Sequence, residues 1–296
     1  MTLPHFALSL IIFWSVTHPA WAQSVKAQSG GGSSYELIGT EVWNVPDPIS
    51  KRGYQVFVSL PASYRKEERR PYPVLFVTDA NYAFPVIREI GRRLNVERPQ
   101  VEEFILVGLS YAKGEDPMQS RMRDYTPTPD GPRSAPVGAV QGQGPAYQIY
   151  LRDQVKPFIA QHYRTNPRRS IFLGHSYGAL LGAQILFTDP DMFSGYILGS
   201  PSLWYDKRHV FDVEAVYAAR HRDLAAKVYM FAGEYEARRF HRTNDIAKDI
   251  QALEGLLKKR PYPNLSVTSE VLNGEDHLSV APRGFTRGLK CLLPAR

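Results

Sequence analysis

The sequence predicts an α/β domain in which a mostly parallel sheet is covered by helices on both faces. Two observations carry this expectation. Short apolar stretches recur at residues 55–60, 74–78, 104–110, 170–174, 195–199, 227–232 and 265–272, and their lengths suit strands. Segments with helical periodicity fall between them, and strand–helix alternation of this kind buries a parallel sheet on two sides.

Taken in order, the stretch 55–60 alternates apolar and polar residues, as an antiparallel strand near an edge does. Residues 74–77 and 105–109 are almost wholly apolar, which suits strands buried on both faces. Residues 147–163 read as a helix through Tyr147, Leu151, Val155, Phe158 and Ile159, with a bend expected at Pro157. Ile246, Ile250, Leu253 and Leu257 place one apolar stripe along a second helix. The connection 126–146 is long and rich in Pro and Gly, and is expected to help wall a pocket.

The composition is that of a globular protein, with 43% hydrophobic and 22% charged residues in a chain of 296. The formal charge is +7, but the basic residues come as scattered pairs such as Arg69-Arg70 and Arg168-Arg169 with carboxylates between many of them. Nucleic-acid binding needs one concentrated basic face, so this pattern reads as solvated surface, with a pocket for anionic substrates as the lesser reading. Cys291, the only cysteine, lies in an apolar stretch and is expected to pack.

At the N-terminus, the apolar run 6–16 precedes Ala20-Trp21-Ala22, an A-x-A cleavage pattern. A membrane span needs roughly 20 apolar residues. The expectation is therefore a signal peptide at 1–22, a flexible linker at 23–34 containing Ser-Gly-Gly-Gly-Ser-Ser, and one catalytic domain at 35–296. The mature chain would be periplasmic or secreted, without stable membrane association. The leader's start carries only His5 and no Lys or Arg, so an uncleaved anchor is the alternative.

The chemistry centres on Gly174-His175-Ser176-Tyr177-Gly178, which follows a strand and precedes a helical stretch. G-x-S-x-G at a strand-to-helix turn puts the serine on a strained elbow with its hydroxyl above the sheet. A serine hydroxyl needs a base, and the base needs a carboxylate that fixes its tautomer. His277, just past the strand 265–272, meets the chain order expected of the base. Glu234 and Glu236 both follow the strand 227–232, and position alone leaves both open as the acid. The oxyanion donors are expected to be the backbone N–H of Tyr177 and one from the loop Asp79-Ala80-Asn81. No metal-ligand spacing, phosphate loop or dinucleotide fingerprint occurs, so no metal or cofactor is expected.

Several segments in one order resemble the esterase-D-type branch of the α/β hydrolases, and within it the group containing bacterial siderophore trilactone esterases. They are Tyr72-Pro-Val-Leu-Phe-Val-Thr-Asp, Arg121-Met-Arg-Asp-Tyr-Thr-Pro, Gly174-His-Ser-Tyr-Gly, Ser200-Pro-Ser-Leu-Trp, Gly233-Glu-Tyr-Glu and Gly274-Glu-Asp-His. The resemblance spans about residues 40–292 and implies the α/β-hydrolase fold, with about eight mostly parallel strands and little or no separate lid. It implies Ser176 as nucleophile, His277 as base, and Asn81 and Tyr177 as the oxyanion pair. The acid of such families lies three residues after the strand-end glycine, which selects Glu236 over Glu234. Two departures stand out: Ala80 replaces a frequent Gly, and some members of the group rely on Ser and His without a well-placed acid.

The activity so implied is hydrolysis of a carboxylic ester through an acyl-enzyme, the substrate being a small molecule such as an anionic ferric siderophore trilactone. Arg121 and Arg123 lie beyond the carboxyl end of the strand 104–110, where open α/β sheets bind ligands. They could pair with an anionic group, the alternative being that Arg121 braces its loop through Asp124. Trp204 either lines the site or packs. Other classes on the same scaffold are an acyltransferase and a non-catalytic binding protein, and retention of Ser, Glu and His argues against the latter.

Overall fold

The computed structural model describes residues 35–132, 135–240 and 244–295. The expected leader at 1–22 and linker at 23–34 lie outside the described residues. Eight strands form one sheet: β1 (Thr40–Asn44), β2 (Gln55–Ser59), β3 (Tyr72–Val77), β4 (Ile105–Leu109), β5 (Thr165–His175), β6 (Gly195–Gly199), β7 (Lys227–Gly233) and β8 (Ser266–Leu272). Their order is β1-β2-β4-β3-β5-β6-β7-β8. β2 runs antiparallel to β1 and β4, and all other neighbours are parallel. This is the mostly parallel α/β-hydrolase sheet. The one strand absent from the expected set is β1, an edge strand whose Thr-Glu-Val-Trp-Asn sequence is largely solvent-facing and gives little apolar signal.

The central strands show why their sequences are apolar without alternation. Val74 and Phe76 of β3 enter one core while Leu75 and Val77 enter the other. The same division runs through β7, with Val228, Met230 and Ala232 on one side and Tyr229 and Phe231 on the opposite side. Successive side chains of a strand point to opposite faces, so burial of both faces demands apolar residues at every position.

One face is covered by α1 (Ala80–Leu94) and α8 (Val280–Leu292). Cys291 packs at the margin of that layer. The other face carries α2 (Pro117–Tyr125), α3 (Gly144–Tyr150), α4 (Lys156–His162), α5 (Tyr177–Thr188), α6 (Tyr205–Arg220) and α7 (Ile246–Lys258). In α7, Ile246, Ile250, Leu253 and Leu257 are all buried, as their spacing requires. Pro157 produces a local change of helix type: residues Leu151–Val155 form one π-helical turn between α3 and α4. A proline lacks an N–H and crowds the preceding turn, and a wider turn just before it accommodates both without ending the helix. No helix among the described residues is long and apolar enough to cross a membrane.

α8 sits close to the sheet because it presents glycines there. A Cβ built on Gly284 would lie 2.1 Å from the Phe231 ring, and one on Gly288 would lie 2.5 Å from Ile197. Alanine normally favours a helix over glycine by about 1 kcal/mol. Forcing a methyl group against a fully buried ring costs about 1–3 kcal/mol. Gly284→Ala is therefore expected to lower stability by urea denaturation; a raised midpoint would show that α8 can shift freely.

Candidate active site

Ser176 lies between β5 and α5 with φ 58° and ψ −119°, a backbone state disfavoured for a non-glycine residue. Its two flanking glycines are required by crowding. A Cβ on Gly174 would fall 2.3 Å from the carbonyl carbon of Gly178, and a Cβ on Gly178 would fall 2.2 Å from Thr78 Oγ1. The Ser176 N–H donates to Gly199 O at 2.9 Å and its carbonyl accepts the Leu180 N–H at 3.0 Å. The turn is thus fixed by β6 on one side and α5 on the other.

Glu236 comes from the short turn Glu234–Glu236 that follows β7, and it is 1% exposed. Its Oε1 pairs with His277 Nδ1 at 2.5 Å. Its Oε2 accepts from Ser200 Oγ and from the Gly233 N–H, each at 2.6 Å. Burial alone would raise the carboxyl pKa, but these three donors outweigh it and hold Glu236 below the ordinary value. Glu234 turns elsewhere, pairing with Arg239 at 2.6 Å and accepting the Gly274 N–H at 3.1 Å. Of the two glutamates, only Glu236 meets His277.

Ser176, His277 and Glu236 line one cavity of about 850 Å³, together with Tyr177, Arg121 and Trp204. Trp204 therefore faces the cavity, while its ring also contacts Tyr177 and Tyr205. His175 stands beside the site with its ring centre 4.7 Å from that of His277. Burial, reinforced by His277 and Arg121 and opposed by Glu236, pushes the His175 pKa down to about 3, so this imidazole stays uncharged.

Asn81 and Tyr177 occupy the first turns of α1 and α5. Backbone N–H groups of a first turn have no acceptor within the helix and point outward as donors. The Asn81 side chain itself is exposed. Ala80, the departure from glycine, is buried over β4, and Gly108 makes room for it: a Cβ there would lie 2.9 Å from the Ala80 methyl.

The arginines depart from expectation. Arg121 does not brace Asp124. Its Nε donates to Asp79 Oδ1 at 2.9 Å and its Nη2 to Asp79 Oδ2 at 3.4 Å. Tyr111 donates its hydroxyl to the same Oδ1 at 2.8 Å. Arg123 is the partner of Asp124, at 2.8 Å, and also meets Glu115. It is 5% exposed and lies outside the cavity wall, so its assignment to substrate is corrected to a structural one. A buried guanidinium follows its carboxylates, and Asp124, Glu115 and Ser120 supply a complete set within α2 and its entry loop. The described part of the connection 126–146 also packs away from the cavity, with Thr128 bonded to Asp206 and Tyr205.

Among the described residues no cluster of His, Cys, Asp and Glu has the arrangement of a metal site. The family model described as "Putative esterase" matches residues 48–256. The chain belongs to this esterase family. It is a serine hydrolase of carboxylic esters, with the sheet of that fold. The esterase is 29% identical to ferri-bacillibactin esterase BesA of Bacillus subtilis, over 90% of this chain and 94% of the relative. It is 24% identical to the siderophore triacetylfusarinine C esterase of Aspergillus fumigatus, over 80% and 87% of the two chains. The solved siderophore hydrolase EstB from Aspergillus nidulans superposes with a TM-score of 0.75 at 23% identity, covering 89% of this chain and 97% of that one.

Three residues of the candidate site escaped assignment from sequence: Ser200, Asp79 and Tyr111. Ser200 and Asp79 lie in segments that carry the family resemblance, directly after β6 and shortly after β3, at the strand ends where open α/β sheets bind ligands. That position was the available signal. Tyr111 follows β4 in the same way.

Proposed function

We propose that Ser176 is the nucleophile, His277 its base and Glu236 the carboxylate that orients His277, and that the ester cleaved belongs to a siderophore. The observation that supports the catalytic part best is the hydrogen-bonded chain from Ser200 and Gly233 through Glu236 to His277, in one cavity with a serine on a strained turn.

In this reading Ser176 Oγ attacks the ester carbonyl carbon as its proton passes to His277 Nε2. Negative charge develops on the carbonyl oxygen between the N–H groups of Tyr177 and Asn81. Collapse of the tetrahedral species expels the alcohol, which takes the proton from His277. Water then repeats the sequence on the acyl-enzyme and frees the acid. The siderophore part of the proposal rests on the relatives, which include a ferri-bacillibactin esterase aligned over nearly the whole chain. A panel of siderophore esters and simple aryl esters, each assayed by product chromatography, tests it. Turnover of aryl esters without any siderophore ester would leave a general esterase.

Export is part of the same reading, supported by the apolar run 6–16 and Ala20-Trp21-Ala22. The mature chain is expected to begin at Gln23 and to be recovered outside the cytoplasm. Intact-mass measurement on the recovered protein decides the point, and a membrane-bound species retaining Met1 would indicate an anchor.

A further inference from the structure

Arg121 keeps only 14% of its side chain exposed and is the only arginine or lysine in the cavity wall among the described residues. Its guanidinium lies 5.4 Å from the centre of the ring of Tyr177, the residue whose backbone N–H is a proposed oxyanion donor. An unpaired cation there would draw anionic substrates strongly, because low-dielectric walls focus its field. Asp79 prevents this. Its carboxylate takes two donors of Arg121, and the Tyr111 hydroxyl donates to the same Oδ1 as Arg121 Nε. Asp79 is itself 8% exposed and adopts a left-handed backbone, φ 54° and ψ 42°. That conformation turns the chain from β3 into α1 and brings the carboxylate into the wall. Glu236 adds a second carboxylate, and His175 contributes no charge. Among the described residues of the wall, one cation therefore stands against two anions.

We propose that Asp79 is a specificity-determining residue which cancels Arg121 and commits the cavity to esters bearing no negative charge on the part held inside it. The inference rests on the reading of the Ser176 cavity as the active site and narrows its substrate class. It runs against the anionic ferric trilactone that the family resemblance implies, and favours an uncharged polyester or chelate.

The test uses a matched pair of aryl esters, 4-nitrophenyl hydrogen adipate and its methyl ester, which differ in one distal charge. Release of 4-nitrophenolate reports both, after subtraction of the buffer rate. The quantity read is the ratio of kcat/KM for the anionic ester to that for the neutral one. General damage to the machinery lowers both terms and leaves the ratio unchanged. The unmodified enzyme is expected to show a ratio of about one-tenth or less. Asp79→Asn uncovers the cation and is expected to raise the ratio about tenfold, whereas Arg121→Gln uncovers the anion and is expected to lower it. A merely structural pair would not move the ratio in opposite directions. The proposal is overturned if the unmodified enzyme prefers the anionic ester, or if the two variants leave the ratio unchanged or shift it the same way. Release of nitrophenolate surviving Ser176→Ala would instead overturn the active-site reading itself.

Discussion

Ser176→Ala is expected to lower kcat by about 10⁶-fold, the largest effect of any single change in this chain. The substitution removes one oxygen from a turn already fixed by the bonds of Ser176 N–H to Gly199 O and of its carbonyl to Leu180 N–H. The elbow, the cavity and the helix N-termini stay in place, so binding and oxyanion stabilisation remain and about 10³–10⁴ of rate over water survives. KM is expected to change little. A fluorophosphonate probe should add to the unmodified chain and leave the variant at its original mass. Labelling of another residue, with turnover retained in the variant, would refute the assignment of Ser176.

Glu236→Gln comes next, with an expected loss in kcat of about 10⁴-fold, or roughly 5.5 kcal/mol in the barrier. The reason lies in the partners of its two oxygens. Ser200 Oγ and the Gly233 N–H both donate toward Oε2. A glutamine would keep its carbonyl oxygen on that side and turn its NH₂ toward His277 Nδ1. That makes Nδ1 an acceptor and leaves the proton on Nε2, where it cannot accept one from serine. Glu234→Gln is the control. It loses a half-exposed pair with Arg239, worth about 1 kcal/mol at most, and turnover should stay within about twofold. Small and equal losses from both substitutions would mean that a Ser–His dyad suffices. A larger loss at Glu234 would reverse the assignment.

The sheet was legible because burial on two faces writes itself into sequence as runs such as Val74-Leu75-Phe76-Val77, and β6 coincides with its expected residues. β1 was not, because an exposed edge strand is under little pressure to be apolar. The segments that bring Ser176, His277 and Glu236 to one cavity could be read because each follows a strand end, and chain order fixes which strand. The partner of Arg121 could not. Asp124 is three residues away in sequence, and Asp79 is separated by 42, so local reading could offer only Asp124 as a carboxylate partner. The competition was settled by Arg123, whose guanidinium occupies Asp124 and leaves Arg121 to the turn after β3. A pocket wall built from residues distant in sequence is a tertiary property, and periodicity carries no trace of it.

Phe231 lies outside the cavity wall and yet touches the supports of two groups in it. Its carbonyl holds the Ser200 N–H at 2.7 Å, and Ser200 in turn steadies Glu236. Its ring is the surface on which Gly284 of α8 rests, and His277 stands three residues before α8 begins. One residue of the interior thus serves as a common datum, through its main chain for the carboxylate and through its ring for the helix that follows the imidazole. A change in its bulk would move the two together or apart by fractions of an ångström. Turnover in this enzyme is therefore open to tuning through core volume, by substitutions that never meet a substrate and leave every reacting group unchanged.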